Sequence, residues 1–182
     1  MSAQRSGIHS RAAKGGPGGR GAAAPRIGQG FDVHRLVAGR PLRLGGVEVA
    51  HARGLEGHSD GDCVLHAVCD ALLGAIGAGD MGQHFPSRDP RWRGVESRIF
   101  VEEVAKLLRA SGYRLSNLDV TVVAQEPVLA PHLGPMREAI AALLGAGSGA
   151  VSVKAKSTDH LGALGRGEGI AAFATALVVR EN

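Results

Sequence analysis

The order of helix-like and strand-like segments constrains the fold of this chain more than any other feature of its sequence. Apolar residues recur at helical spacing in two segments, and Pro135 in a first turn indicates a third helix. Runs rich in Val, Ile, Leu and Ala predict strands around them. The predicted helices are 62–76, 97–111 and 135–144. The predicted strands are 26–34, two short pieces within 41–49, 118–124, 151–156 and 170–179. Because helices and strands do not alternate regularly, we expect an α+β fold in which helices cover one sheet.

Length and charge narrow the class of protein further. The chain has 182 residues, which is the size of one domain. Its net charge of +4 comes from Arg5, Arg11, Lys14 and Arg20, which all precede Pro25 in a segment without Asp or Glu. Of the 21 basic residues, 17 remain after those four, and they balance the 17 acidic residues. The charge balance of the predicted domain therefore does not support a basic face, and we expect no nucleic-acid partner.

The first 25 residues differ in composition from the rest of the chain. They are rich in Gly, Ala, Ser and Arg and have no hydrophobic periodicity. We therefore predict a disordered leader over 1–25 and one folded domain over 26–182. A transit peptide is the alternative for this basic segment, so plastid targeting stays open beside the cytoplasmic, bacterial location that we expect. No apolar run reaches the roughly 20 residues of a membrane span, and we expect no membrane partner.

The cysteine content argues against one kind of metal site. Cys63 and Cys69 are the only cysteines, and they lie six residues apart in a predicted helix. They face different sides of that helix, so we expect free thiols in a reducing compartment. Neither a disulfide nor a cysteine-based zinc site is predicted.

Three side chains from two segments are candidate metal ligands. Asp32 and His34 project from the same face of a predicted strand, and His66 lies on the first predicted helix. One Asp and two His are typical of a catalytic zinc, which keeps a fourth position open for substrate. These ligand types also suit other divalent metals. The alternative is that all three side chains form ordinary hydrogen bonds.

A polar run precedes the first predicted helix. Its sequence is Gly57-His-Ser-Asp-Gly-Asp62. Free backbone N–H groups at a helix start attract phosphate, and His58 could donate to the same phosphate. Capping of the helix by Ser59 or Asp60 would explain these residues without any chemistry. Spacing alone leaves a metal–phosphate site and an ordinary capped helix both open.

Taken in order, the motifs of this chain resemble those of one known family, the 2-C-methyl-D-erythritol 2,4-cyclodiphosphate synthases. The resemblance extends from Arg26 nearly to the end of the chain. The motifs that carry it are Gly30-Phe-Asp-Val-His34, His58-Ser-Asp-Gly-Asp62, Leu65-His66, Asp70-Ala-Leu-Leu-Gly74, Gly79-Asp-Met-Gly82, Phe85-Pro86, Asp119-Val-Thr121, Ala124-Gln125, Pro131-His132 and Gly165-Arg-Gly-Glu-Gly169. Each motif alone is weak evidence, whereas the combination and its order are highly specific.

The resemblance implies a lyase of the non-mevalonate pathway to isoprenoid precursors. Such an enzyme converts 4-diphosphocytidyl-2-C-methyl-D-erythritol 2-phosphate into 2-C-methyl-D-erythritol 2,4-cyclodiphosphate and CMP. The 2-phosphate attacks the β-phosphate with the help of metal ions. The resemblance also implies a homotrimer with active sites between subunits, and a chorismate-mutase-like or ferredoxin-like layer of four strands with helices on one face. A zinc hydrolase and a non-catalytic module that binds nucleotides or isoprenoids are the alternatives.

The resemblance also implies a role for individual residues. Asp32, His34 and His66 would hold a zinc ion, and Asp159 would bind a second ion, magnesium or manganese. His58 and Ser157 would stabilise charge in the transition state. The substrate-binding residues that it implies are Asp32, His34, His58, Ser59, Asp80, Gly82, Phe85, Asp89, Ala124, Gln125, Pro127, Ala130, Lys156, Ser157, Thr158, Asp159, Ala163 and Arg166.

Some positions depart from the family's pattern. Ser157 stands where a Thr is usual, which keeps the hydroxyl but loses the stiffness of a β-branched side chain. Asp159 stands where Glu is common, so the reach to a second metal is one methylene shorter. Ser87 takes a place often held by Asp. Ala163 and Leu164 lie where many members have a Phe near the trimer's central apolar cavity, which weakens the case for a ligand there.

Overall fold

The structure is a computed structural model, and it describes residues 24–181 of the chain. The predicted leader, residues 1–25, therefore lies almost wholly outside the described residues. The elements are β1 (Arg26–Ala38), β2 (Leu42–Leu44), β3 (Val47–Val49), β4 (Arg53–Leu55), α1 (Cys63–Ile76), α2 (Met81–His84), α3 (Ser97–Ala110), β5 (Tyr113–Val123), α4 (Leu133–Leu144), β6 (Val151–Lys156), α5 (Gly162–Gly165) and β7 (Gly169–Arg180). Within the described part, no helix is both long and apolar enough to cross a membrane.

The long elements are those that the sequence predicts. The three predicted helices correspond to α1, α3 and α4, and their ends differ from the prediction by at most two residues. The predicted strands are present, although β1 and β5 extend beyond them to Ala38 and back to Tyr113. Three elements were missed, namely β4, α2 and α5, because segments of three or four residues are too short to display a period.

One mixed sheet organises the fold, with strand order β4-β1-β7-β5-β6. Only the β5–β6 pair is parallel, and the other neighbours are antiparallel. The α+β class is thereby confirmed. The prediction of four strands is wrong by one, because the short strand β4 pairs with the end of β1 at the sheet edge. The strands β2 and β3 form a separate hairpin around the predicted Gly-Gly turn.

The core lies between one face of the sheet and helices α1, α3 and α4. On β7, alternate residues from Ile170 to Val178 point into this core, and three of them are Ala. Small side chains there let the helices pack close to the central strand. The opposite face of β1 and β7 carries large apolar side chains that are about half exposed. These are Ile27, Phe31, Val33 and Phe173.

Two glycines on β1 determine how closely α1 approaches the sheet. A Cβ atom on Gly28 would overlap the backbone carbonyl of Ala71, and one on Gly30 would overlap that of Ala67. The backbone of α1 therefore lies directly on β1 at these two positions. The next residues on the same strand face are Asp32 and His34, so the close contact brings His66 of α1 within reach of both.

We predict that Gly30→Ala destabilises the protein by about 1–3 kcal/mol, because the added methyl group must displace the backbone of α1. Gly134→Ala is the matched control, since Gly134 lies in α4 with no atom within 4 Å of the new Cβ. Because Ala favours a helix over Gly, the control variant should be unchanged or more stable by up to about 1 kcal/mol. Urea unfolding of both variants measures the difference, and equal stabilities would contradict the close contact.

Candidate active site

Asp32, His34 and His66, which we call the metal triad, converge at the junction of β1 and α1. The Nε2 atom of His34 and the Nδ1 atom of His66 each lie 2.9 Å from Oδ2 of Asp32. The two nitrogen atoms are 3.3 Å apart. Among residues 24–181, this is the group of His, Cys, Asp and Glu whose ligand atoms are close enough to share one ion. The convergence predicted from the sequence is confirmed.

The metal triad fits a divalent ion. Two ligands of a tetrahedral zinc, each about 2.0–2.1 Å from the ion, lie about 3.3–3.4 Å apart. The observed separations of 2.9–3.3 Å are only slightly shorter, so small outward movements of the three side chains would admit an ion. All three side chains are partly buried, which leaves one side of the group open to a cavity.

The charges within the metal triad stabilise one another. Burial raises the pKa of the Asp32 carboxyl, but hydrogen bonds and charge interactions with His34 and His66 outweigh burial, so the net pKa is well below the ordinary value. The pKa of His34 is raised, chiefly by its hydrogen bond to Asp32 and against the effect of burial. The site thus favours an ionised carboxylate, which is the form that binds a metal.

Asp62 holds the start of α1 in place. Its buried carboxylate accepts hydrogen bonds from the N–H groups of Val64 and Leu65, and it is the N-cap of the helix. It also accepts from the N–H groups of Gly45 and Gly46 in the β2–β3 turn, at 2.9 and 2.7 Å. The expected capping by Ser59 or Asp60 is therefore wrong for this helix, because Asp62 occupies the cap.

His58 and Ser59 lie beside the metal triad, as the polar run predicts. Ser59 Oγ is 3.2 Å from Nε2 of His66, and its hydroxyl accepts from the N–H of Gly61. Both residues line a cavity of about 180 Å³ next to two of the triad side chains. The cavity is lined by His34, His58, Ser59, His66, Met81, Phe85, Ser87, Trp92 and Phe100.

An aromatic cluster forms one wall of this cavity. The ring centroids of Phe85 and Phe100 are 4.8 Å apart, and Trp92 lies 5.2 Å from Phe85 and 5.6 Å from Phe100. Trp92 is therefore a packing residue, in the short 3-10 turn Pro90–Trp92. Its Nε1 atom is buried without a hydrogen-bond partner in the described part of the chain.

A second group of predicted site residues lies around another cavity, of about 470 Å³. Its lining residues are Gln125, Glu126, His160, Gly165, Arg166 and Gly167, none of which lines the metal cavity. Gln125 Oε1 accepts from the N–H of His160, and Arg166 pairs with Glu168 at 2.6 Å. Ser157 Oγ donates to Asp159 Oδ1 at 3.3 Å, on the exposed loop between β6 and α5. The predicted site residues therefore form two groups in one chain.

The remaining predicted residues occupy a range of environments. Asp80 caps α2, which contains Gly82, and Asp89 is held by Arg91 at 2.6 Å. The residues with no side-chain hydrogen bond to another described residue are Ala124, Pro127, Ala130, Lys156, Thr158 and Ala163. Pro127 follows a cis peptide bond, and Ala163 lies exposed in α5.

Sequence reasoning missed two contributors to the site. Ser97 Oγ lies 2.9 Å from His66 Nε2, although 31 residues separate them, and no local pattern signals such a contact. Arg40 donates to the carbonyl oxygens of Gly57 and Ser59, at 3.0 and 2.6 Å, and so holds the backbone on both sides of His58.

Comparisons with known proteins agree with this fold. The model of the YgbB family matches residues 25–179. A 2-C-methyl-D-erythritol 2,4-cyclodiphosphate synthase from Geobacter sulfurreducens is 56% identical over 153 residues, covering 84% of this chain and 98% of the relative. A bifunctional enzyme IspD/IspF from Erythrobacter litoralis is 54% identical over 157 residues, covering 86% of this chain. This chain spans only 41% of that bifunctional relative. A solved structure described as a CDP complex of IspF from Plasmodium falciparum has a TM-score of 0.77 and 32% identity, covering 87% of this chain and 97% of that one.

The fold and the metal triad define an α+β protein with a site for a divalent ion beside a polar loop. With the family match, they identify its class. The chain belongs to the YgbB family, and its relatives include proteins named 2-C-methyl-D-erythritol 2,4-cyclodiphosphate synthase. The family predicted from the sequence motifs is confirmed.

We predict that His66→Ala removes a bound divalent ion, because it deletes one of three converging ligands. Metal content after dialysis, measured by mass spectrometry, should fall from about one ion per chain to almost none. His84→Ala is the control, since the His84 ring bonds to the carbonyl of Ala78 outside the metal triad. Retention of a full complement of the ion by His66→Ala would contradict the ligand assignment.

Proposed function

We propose that the chain is a lyase that converts 4-diphosphocytidyl-2-C-methyl-D-erythritol 2-phosphate into 2-C-methyl-D-erythritol 2,4-cyclodiphosphate and CMP. The observation that carries this proposal is the metal triad beside His58 and Ser59, in a chain that matches the family over 25–179. The relatives that bear the name of this enzyme support the reaction. The CDP bound by the Plasmodium relative supports a cytidine nucleotide as part of the substrate.

We further propose that zinc is the ion held by Asp32, His34 and His66. Two imidazoles and one carboxylate are a ligand set that zinc favours in catalytic sites. Zinc bound there would supply Lewis-acid chemistry to the β-phosphate. The protein's own contribution is to hold three ligands on two rigid elements, so that the open side faces the cavity with His58 and Ser59.

The reaction requires two polyanionic groups to approach each other. Alignment and neutralisation of charge therefore dominate the barrier. Because the attacking phosphate is already an anion, no strong general base is required. In the proposal, His58 and Ser157 donate hydrogen bonds to charge that develops during transfer, and the loss of one such donor costs about 2.7–4 kcal/mol.

The second group of residues would hold the nucleotide half of the substrate. Asp159 would bind magnesium or manganese at the diphosphate, with Ser157 beside it. Residues 124–130 would frame the cytosine. The full proposed substrate-binding set is Asp32, His34, His58, Ser59, Asp80, Gly82, Phe85, Asp89, Ala124, Gln125, Pro127, Ala130, Lys156, Ser157, Thr158, Asp159, Ala163 and Arg166. Asp89 would have to give up its contact with Arg91 to take part.

A homotrimer with active sites between subunits would unite the two groups. The half-exposed apolar face of β1 and β7 supports this part of the proposal, because Phe31 and Phe173 stack at 4.8 Å and would be covered in an assembly. The chorismate-mutase-like or ferredoxin-like layer is the fold that we assign to the subunit. A cytoplasmic location and a disordered leader over 1–25 remain predictions.

The product of the reaction tests the activity directly. We predict that the purified chain, incubated with the substrate and divalent metal, releases CMP and a cyclic diphosphate with two coupled phosphorus signals in phosphorus NMR. A chelator should abolish both products, because the metal aligns and neutralises the phosphates. Linear phosphate products would instead indicate a zinc hydrolase, and no turnover would indicate a binding module.

Mixing two inactive variants tests whether the site is shared. His66→Ala disables the group of site residues around the metal triad. Ser157→Ala, in the second group, should lower activity by about 10²–10³-fold. If each site combines the halves of two neighbouring subunits, mixed trimers should recover about a quarter of the sites. Steady-state assays of co-expressed chains measure the recovery. A mixture as inactive as both parents would contradict a site between subunits.

A further inference from the structure

A buried hydrogen-bond chain leads away from the metal triad on the side of His66 that faces the protein. Nε2 of His66 lies 2.9 Å from Oγ of Ser97, and Ser97 Oγ lies 2.5 Å from Oδ1 of Asp60. Ser97 is the first residue of α3 and is fully buried. Nδ1, the other nitrogen atom of His66, faces Asp32 and His34. The two sides of one imidazole ring thus contact different partners.

The direction of each hydrogen bond follows from the chemistry of the partners. A carboxylate accepts but does not donate, so the single proton of the Ser97 hydroxyl points to Asp60. The other oxygen of Asp60 accepts from the backbone N–H of Ser97 at 3.1 Å. With its proton committed, the hydroxyl of Ser97 can only accept from His66. His66 therefore donates from Nε2 to Ser97. When an ion takes the place of the hydrogen bond between Nδ1 and Asp32, the neutral ring has its lone pair on Nδ1, toward the metal side.

We propose that Ser97 and Asp60 are positioning residues that orient His66 and fix its tautomer for metal binding. Because this inference rests on the proposed metal site, it concerns the affinity of that site and not the identity of the substrate. Outer partners of this kind typically raise metal affinity by about 10–100-fold. Asp60 and Ser97 act through His66, and neither side chain is placed to ligate the ion.

The same series of hydrogen bonds connects the metal triad to the polar run 57–62 that precedes α1. Asp60 follows His58 and Ser59 directly, and its N–H donates to the carbonyl of Val95 at 3.2 Å. Ser59 Oγ also lies near Nε2 of His66, but at 3.2 Å it is the more distant of the two hydroxyls. Ser97 is therefore the acceptor for the Nε2–H group of His66. The hydroxyl of Ser59, which also lies 3.3 Å from Oγ of Ser97, can either donate to Ser97 or turn toward a ligand in the cavity.

The test compares zinc affinity among three variants of the full chain. Ser97→Ala removes the acceptor, and Asp60→Asn keeps the shape but turns an amide group toward one of the two Ser97 donors. Ser111→Ala is the control, because Ser111 caps the other end of the same helix through a hydroxyl bond to Leu107 O at 2.9 Å. Competition with a chromophoric chelator gives the dissociation constant for zinc. Thermal unfolding of the zinc-free variants reports any general loss of structure.

We expect Ser97→Ala and Asp60→Asn to bind zinc about 10–100-fold more weakly, with Ser111→Ala unchanged. In the zinc-loaded chain, the nitrogen chemical shift of His66 Nε2 should change in both site variants and not in the control. Zinc affinity of Ser97→Ala within about twofold of the unaltered chain would overturn the inference, since outer partners contribute more than that. An equal loss of zinc affinity in Ser111→Ala would also overturn the inference. Failure of the unaltered chain to bind zinc would overturn the metal site itself, which is a distinguishable result.

Discussion

The contact of helix α1 with strand β1 is the constraint on which the rest of this structure depends. No side chain separates the two backbones at Gly28 and Gly30, so the helix lies unusually deep on the strand. Only at that depth can a histidine from the helix meet an aspartate and a histidine from the strand. The metal triad in this sense depends on the absence of a side chain at Gly28 and Gly30, which lie four and two residues before Asp32 on the same face of β1.

The polar run before α1 contributes two carboxylates that fix the helices around the metal triad. Asp62 binds four backbone N–H groups and fixes the start of α1, while Asp60 reaches the start of α3. Two neighbouring carboxylates thus anchor two helices, and His58 and Ser59 between strand and helix are left facing the cavity. The polar run 57–62 therefore does more than cap a helix: Asp60 and Asp62 have a structural role, and His58 and Ser59 line the cavity.

The sequence predicts those parts of the fold that repeat over many residues. Helices α1 and α3 have clear periods, Pro135 marks α4, and the spacing of Asp32 and His34 places both on one strand face. The edge strand β4 and the contact of Ser97 with His66 could not be predicted, because three residues carry no period and 31 residues separate the contact pair. Likewise, no local signal divides the predicted substrate residues between two separate cavities. That division depends on where β5 and β6 end and where β7 begins.

X-ray absorption at the zinc edge of the loaded chain tests the central claim most directly. We expect a first shell of nitrogen and oxygen only, at about 2.0–2.1 Å, with the outer-shell pattern of two imidazole rings. Replacing either His34 or His66 should remove the contribution of one imidazole ring from that pattern. A sulfur shell at about 2.3 Å, which would implicate Cys63 or Cys69, or a shell without imidazole would contradict it.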